Sequence, residues 1–247
     1  MLTITSRDNP QSKQVSSLLS AAKKRRKEGL FVCEGFTLLE EALRRGLQPK
    51  AVYCLESLAD RLPKLDCPCA LVNQSVLEKL SDVPAPQGVV FTLPLPEAGK
   101  TLSGSRFLAL DSLRDPGNMG TILRTADALE IPVALLEGCA DPYSHKVVRA
   151  TMGAAFRTPV IQTTWAEAKA ACEAAGIPVA VTALSDRAED IRQANLKKMA
   201  VVIGSEGRGV RKEVLDNADA ELIIPMNPRC ESLNAAIAAA IVMWQMK

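Results

Sequence analysis

The sequence predicts an α/β protein in two parts, the second a mostly parallel sheet covered by helices. Three observations carry that prediction. From Arg106 onward, short β-branched apolar runs alternate with helix-period segments, the pattern of parallel strands joined by crossover helices. Before it lies an α/β stretch of different charge, set off by a cluster of Pro, Gly and Ser. Finally, three runs containing Gly, Asn or Ser follow apolar stretches where strands should give way to helices. In an open α/β sheet that edge binds ligands.

The elements follow in order. Gln11 to Leu30 reads as one helix whose last turns carry Lys23-Lys24-Arg25-Arg26-Lys27, where cations suit the helix dipole, with Gly29 as its stop. Leu30–Cys33, Ala51–Cys54, Ala70–Val72 and Val89–Thr92 read as strands. A helix over Phe36–Arg45 shows Leu38, Leu39, Ala42 and Leu43 at helical spacing, and a short one follows a cap at Ser75. Residues 1–95 thus form a small α/β domain, 96–105 a linker and 106–247 a second domain. In the second, strands are expected at Phe107–Leu110, Pro132–Leu136, Thr158–Gln162, Pro178–Thr182, Met199–Ile203 and Glu221–Ile224. Helices are expected at Met119–Leu129, Thr164–Ala174, Val210–Asn217 and about Ser232–Met246. The last is apolar all round, so it either lies inside the domain or offers one face to a dimer.

Composition bounds the function. Hydrophobic residues make up 47% of 247 and charged residues 23%, enough for a buried core. Aromatics are only 4%, which argues against base stacking as the main binding mode. Residues 1–64 hold 12 Lys and Arg against 7 Asp and Glu. That basic start suits an anionic polymer or, equally, a solvated helix face. The seven cysteines, with no CxxC, fit reduced thiols, and no apolar run reaches the length of a membrane span. Without a signal-peptide layout at Met1–Ser6, a cytoplasmic protein is expected.

Several chemistries lose support. His145 is the sole histidine and sits in a polar turn, where it should be exposed; a histidine triad or histidine metal site is thereby disfavoured, and no metal is expected. Neither GxGxxG opening the first β–α unit nor a Walker A run occurs. Positive signals lie in the three runs. Asp115 to Arg124 places Asn118 as a helix cap, Gly120 as open space and Arg124 one turn on, suited to an oxyanion or to an ordinary helix surface. Gly204-Ser205-Glu206-Gly207-Arg208-Gly209 is a Gly-rich turn whose Glu206 either is solvated or accepts hydrogen bonds from an amine or ribose. Ile224-Pro225-Met226 leads to Ser232-Leu233-Asn234, with Cys230 as a neighbour.

Together the runs resemble the SpoU family, the TrmH-like branch of the SPOUT superfamily of RNA methyltransferases. Asn118-Met119-Gly120-Thr121-Ile122-Leu123-Arg124 matches its Asn-x-Gly-x-x-x-Arg motif; Gly204, Glu206 and Gly209 match Gly-x-Glu-x-x-Gly. Ile224-Pro225-Met226 and Ser232-Leu233-Asn234 before an Ala-rich helix match the third motif. Lys146–Ala154 also looks like the family, with Thr151 where Ser is more usual, and the opening resembles the substrate-binding domain that precedes many members.

The resemblance implies a C-terminal trefoil knot, S-adenosylmethionine as cofactor, a homodimer through the catalytic domain, and methyl transfer to a ribose 2′-oxygen in RNA. Cofactor contacts then map to Thr182, Ala183, Leu184, Gly204, Glu206, Ile224, Met226, Ser232 and Leu233. Arg124, Asn118, Glu206, Ser232 and Asn234 take the catalytic positions; Lys23, Lys24, Arg25, Arg26, Lys27 and Arg124 would meet RNA phosphates. The separate N-terminal domain favours 23S ribosomal RNA. Transfer RNA, an inactive RNA-binding scaffold, or an enzyme acting on a small nucleotide stand as alternatives.

Overall fold

The computed structural model describes residues 2–97, 102, 104–158 and 160–247. Of the linker expected over 96–105, residues 98–101 and 103 lie outside the described residues. The chain divides into two units: Met1–Pro96 with Asp141–Phe156, and Glu97–Ala140 with Arg157–Lys247.

The first unit is a five-stranded sheet flanked by helices. In chain order it holds β1 (Leu2–Ile4), α1 (Pro10–Ser20), α2 (Ala22–Glu28), β2 (Leu30–Glu34), α3 (Phe36–Arg44), β3 (Ala51–Leu55), β4 (Cys69–Val72), α4 (Gln74–Lys79) and β5 (Val89–Pro94). The order is β1-β4-β3-β5-β2, with β5 antiparallel to both β2 and β3. One face buries Phe31, Leu39 and Phe91; the other buries Leu18, Leu77 and Leu80.

The single helix expected over 11–30 is two. Ala21 is extended (φ −139, ψ 117) between α1 and α2. The reason is Arg25, only 4% exposed. Its guanidinium donates to the carbonyl oxygens of Leu18 and Leu19, at the end of α1 where no further helical N–H can reach them. It also pairs with Asp141 at 2.6 Å. Arg25 therefore leaves the set of residues expected to meet RNA phosphates. The cap expected at Ser75 is instead Asn73, which accepts from Val76 N at 2.9 Å.

In the second unit come β6 (Phe107–Leu110), α5 (Pro116–Leu129) and β7 (Val133–Leu135). Next, α6 (His145–Ala150) lies in the segment that belongs to the first unit, although the sequence reading assigns it to the second domain. Then follow β8 (Val160–Gln162), α7 (Trp165–Ala175), β9 (Val179–Thr182), β10 (Glu189–Asp190), β11 (Ala200–Ile203), α8 (Lys212–Asp216), β12 (Ala220–Ile223) and α9 (Ala235–Met246). All pairings in this sheet are parallel, in the order β10-β12-β9-β11-β6-β7-β8. A core of Phe107, Ala134, Trp165, Val179 and Val202 fills one face. Helices α5 and α9 pack together. Met119, Ile122, Leu123 and Ala126 of α5 are buried, as are Ala235, Ala236, Ala239, Val242, Met243 and Met246 of α9. The small residues at the start of α9 permit close approach.

His145, expected to be exposed, is 1% exposed at the start of α6. Its Nε2 lies 3.0 Å from Glu34 Oε2, and Nδ1 contacts Asp82 Oδ1. Glu34 accepts from Ser81 Oγ at 2.6 Å and from Gln87 N at 2.7 Å. Burial raises the Glu34 pKa, but His145 first, then Ser81 and the Gln87 N–H, outweigh it and hold it below the ordinary 4.5. A depressed carboxylate pKa contributes stability above the unfolded value, and that stability is lost as pH falls through the folded pKa. Thermal melts should therefore show the first unit losing stability below about pH 4.5. Glu34→Ala should cost about 3 kcal/mol at pH 7, because it strands a buried partner, and should flatten that acid limb. An unchanged melting profile would remove Glu34 as an anchor of α6.

Candidate active site

The turns after β6, β9, β11 and β12 converge on the carboxyl edge of the second sheet. After β6, Asp111 is fully buried. Its carboxylate accepts from Arg211 N at 2.7 Å and Nε at 2.6 Å, which ties the β6 turn to the segment before α8. Arg211 Nη2 also donates to Glu137 at 2.6 Å. Partial burial raises the Glu137 pKa, but its own backbone N–H and Arg211 prevail and hold it below the usual range. The same two carboxylates raise the Arg211 pKa against the opposing effect of burial.

Asp115, not Asn118, caps α5. It accepts from Asn118 N at 2.7 Å, and Pro116 follows at the first helical position, where a missing N–H costs nothing. That frees the Asn118 side chain. Its Nδ2 donates to Glu206 Oε1, and its Oδ1 accepts from Asn234 Nδ2 at 3.0 Å. Asn234 in turn caps α9, accepting from Ala236 N at 2.9 Å and Ile237 N at 3.3 Å. One amide thus joins the three runs.

The loop after β11 closes on itself: Ser205 N donates to Gly209 O at 3.1 Å, and Gly209 N to Ser205 O at 2.9 Å. Gly209 is left-handed at φ 64. Gly204 has no room for a side chain, since an added Cβ would stand 2.1 Å from Gly209 C and 2.2 Å from Val210 N.

A cavity of about 510 Å³ opens beside this loop. Thr182, Ala183, Leu184, Gly204, Glu206, Ile224, Met226, Ser232 and Leu233 all line it, as do apolar Ile203, Leu215 and Ala238. Asn118 and Asn234 reach it only through Glu206 and each other. Arg124 does not line it. That side chain stands exposed on α5, with no hydrogen-bond or ion-pair partner among the described residues. Cys230 is exposed and likewise outside the lining. Lys23, Lys24, Arg26 and Lys27 are exposed on the first unit.

Sequence reasoning misses Glu221, which also lines the cavity and accepts from Ser185 Oγ and, at 2.5 Å, from Arg187 Nη2. No motif carries it; only the pairing of β12 with β9 brings residues 182–185 beside it. Asp115 had a usable signal, the Asp-Pro of a helix start.

Residues 105–244 match the model of the SpoU rRNA Methylase family, and residues 9–90 the MRM3-like substrate binding domain. The 23S rRNA (guanosine(2553)-2′-O)-methyltransferase RlmP of Bacillus subtilis is 30% identical over 93% of each chain. The mitochondrial rRNA methyltransferase 3 of Mus musculus is also 30% identical, over 96% of this chain and 72% of its own. The AdoMet-bound rRNA methyltransferase structure from Sinorhizobium meliloti superposes with a TM-score of 0.85 at 32% identity, covering 99% of this chain and 96% of that one. With its three motif runs gathered at one sheet edge and its second unit matched nearly end to end, the chain belongs to the SpoU rRNA methylase family.

Proposed function

We propose that the protein transfers a methyl group from S-adenosylmethionine to a ribose 2′-hydroxyl of 23S ribosomal RNA. The observation that carries this reading is the cavity lined by both the second and third motif runs, with Asn118 joining them to the first. Its size suits a ligand of this class. The lining fits the cofactor: apolar walls for a base, and the Glu206 carboxylate for a ligand bearing sulfonium and ammonium charges, Glu221 being already paired with Arg187. When bound, the cofactor supplies an electrophilic methyl group on sulfur.

The protein's own residues do the rest. The 204–209 loop and residues 224–233 hold and orient the cofactor. Glu206, oriented by Asn118, is the carboxylate placed to accept the hydroxyl proton. A guanidinium stays protonated and is a poor base, so Arg124 binds the neighbouring phosphate or the developing oxyanion. Ser232, which lines the cavity, orients the ribose, and Asn234 holds Asn118 in place. Lys23, Lys24, Arg26 and Lys27 hold RNA through phosphates on the first unit, which resembles a substrate-binding domain.

The trefoil knot belongs to this reading too. Its support is that α9 packs on both α5 and the turn at Leu196–Lys198, between β10 and β11. A homodimer is supported by Ile237, Ile241 and Trp244, an exposed apolar stripe on α9 at helical spacing, with Trp244 71% exposed. Trp244→Glu should convert a dimer to a monomer in sedimentation velocity; a wild-type monomer would sink this part. Among the described residues no helix is long and apolar enough to cross a membrane.

The reaction is tested with labelled cofactor on ribosomal and transfer RNA from cells lacking the gene, followed by mapping of alkali-resistant linkages. Labelling of 23S RNA is expected. Labelling confined to transfer RNA would move the substrate. Absence of cofactor binding by calorimetry would leave only an RNA-binding scaffold.

A further inference from the structure

A second concavity, of about 620 Å³, shares the 205–210 loop as a wall with the cofactor cavity. Its remaining walls are the turn after β6 and the segment that leads into α8. This is the switch point of the sheet: from β6 the strand order runs to β7 and β8 on one side and to β11 on the other. Ligands of open parallel sheets bind at such a crevice. The cofactor cavity lies off to the β9, β11 and β12 side, so the switch-point crevice is a distinct place for a second ligand.

The crevice is basic. Arg114, Arg208, Arg211 and Lys212 line it, against Glu206 as the single carboxylate of its lining among the described residues. Arg211 is committed to Asp111 and Glu137, and Lys212 pairs with Asp216 at 3.2 Å. Arg114 and Arg208 are exposed and have no hydrogen-bond or ion-pair partner among the described residues. Unpaired guanidiniums at one crevice repel each other and favour an anion between or across them. Guanidinium geometry suits phosphate. Ser112, at the base of the crevice, is left-handed at φ 58 and is held so by its N–H and Oγ, which both donate to Glu137 O. Strain of that kind is retained where the surroundings fix it, often at ligand clamps. Among the described residues no aromatic side chain lines the crevice, so recognition rests on charge and not on stacking.

We propose that Arg114 and Arg208 hold backbone phosphates of the RNA strand flanking the ribose presented to the cofactor cavity. This rests on the methyl-transfer reading, and it adds a strand path on the second unit to the basic helix of the first. The shared loop explains the placement: a ribose set against it lies next to the methyl donor, while its flanking phosphates fall in the basic crevice.

The test measures binding of a labelled 20-nucleotide polyuridine strand to the full chain across a potassium chloride series. The wild type is compared with Arg114→Ala/Arg208→Ala and Arg114→Lys/Arg208→Lys. Each single-strand phosphate contact contributes about 0.7 to the salt slope, so the alanine pair should lower it by about 1.4 and the lysine pair should restore it. An unchanged slope, or failure of lysine to restore it, overturns the proposal. So does competition by inorganic triphosphate as strong, per phosphate, as by the strand, since that assigns the crevice to a small anion. Methyl transfer to ribosomal RNA is measured in parallel on the wild type. A slope that falls as expected in a protein that methylates no RNA leaves the strand site standing and removes the methyl-transfer reading. An active wild type with an unchanged slope removes the strand site alone.

Discussion

Arg124→Ala should slow single-turnover methyl transfer by about 10²–10³-fold, the usual loss when one donor to a developing oxyanion is removed. Cofactor affinity, measured by calorimetry, should stay within about twofold, because Arg124 does not line the cavity proposed for the cofactor. The side chain is exposed, with no hydrogen-bond or ion-pair partner among the described residues, so the fold should be unaffected. Arg124→Lys keeps the charge but loses the planar fork, and should recover only part of the rate. Equal loss of transfer and of cofactor binding would show that Arg124 acts on the cofactor and not on the RNA.

Gly204→Ala should weaken cofactor binding by at least about 100-fold, a large effect for one methyl group, because overpacking against main chain forces the backbone to move. The new Cβ would stand 2.1 Å from Gly209 C and 2.3 Å from Gly209 O. These are backbone atoms of the paired loop, so no side-chain rotation relieves the clash. The loop must open, and its cavity wall moves with it. Gly207→Ala in the same loop is the control. Among the described residues no heavy atom lies within 4 Å of its Cβ position, and its φ is not in the left-handed region. That variant should bind cofactor within about twofold of wild type, as surface changes away from such features generally do. If the two variants behave alike, loop closure at Gly204 does not shape the cavity.

Much of the fold was legible in local pattern. The strands at Phe107, Pro178 and Met199 appear within one residue of their expected starts as β6, β9 and β11. Buried parallel strands read as short β-branched runs, so their positions survive without tertiary information. The start of α7 carried a signal the expected helix over Thr164–Ala174 did not use: Thr164 caps it, in a reciprocal capping box with Glu167. The misses share a cause. Gln11–Leu30 carries an unbroken helical pattern, and the break at Ala21 follows from Arg25 turning back onto α1 and out to Asp141, 116 residues away. His145 sits in a polar run that looks solvated, yet Glu34 and Asp82 receive it in the first unit. The short strands β1 and β10 have too few residues to show alternation.

The candidate site divides the same way. The nine residues assigned to the cofactor by resemblance do line one cavity, and the three motif runs do meet. What the motifs left unsaid is who holds whom. Asn118 was expected to cap a helix; Asp115 does that, which leaves Asn118 free to bridge Glu206 and Asn234.

By itself the sequence determined the two-part α/β organisation, the succession of strands and helices in the second part, and the residue types available for chemistry. Steric preferences, hydrophobic period and capping act over a few residues, so they are written locally. Tertiary structure alone decided that Asn118 meets partners 88 and 116 residues away, that Arg25 and His145 turn inward, and that Glu221, Arg114 and Arg208 stand at cavities. The outcomes at the second sheet depend on strand order, in which β6 lies between β11 and β7 and β9 lies between β12 and β11, and no local period encodes the order in which strands pair; Arg25 and His145 turn inward because Asp141, Glu34 and Asp82 meet them within the first unit.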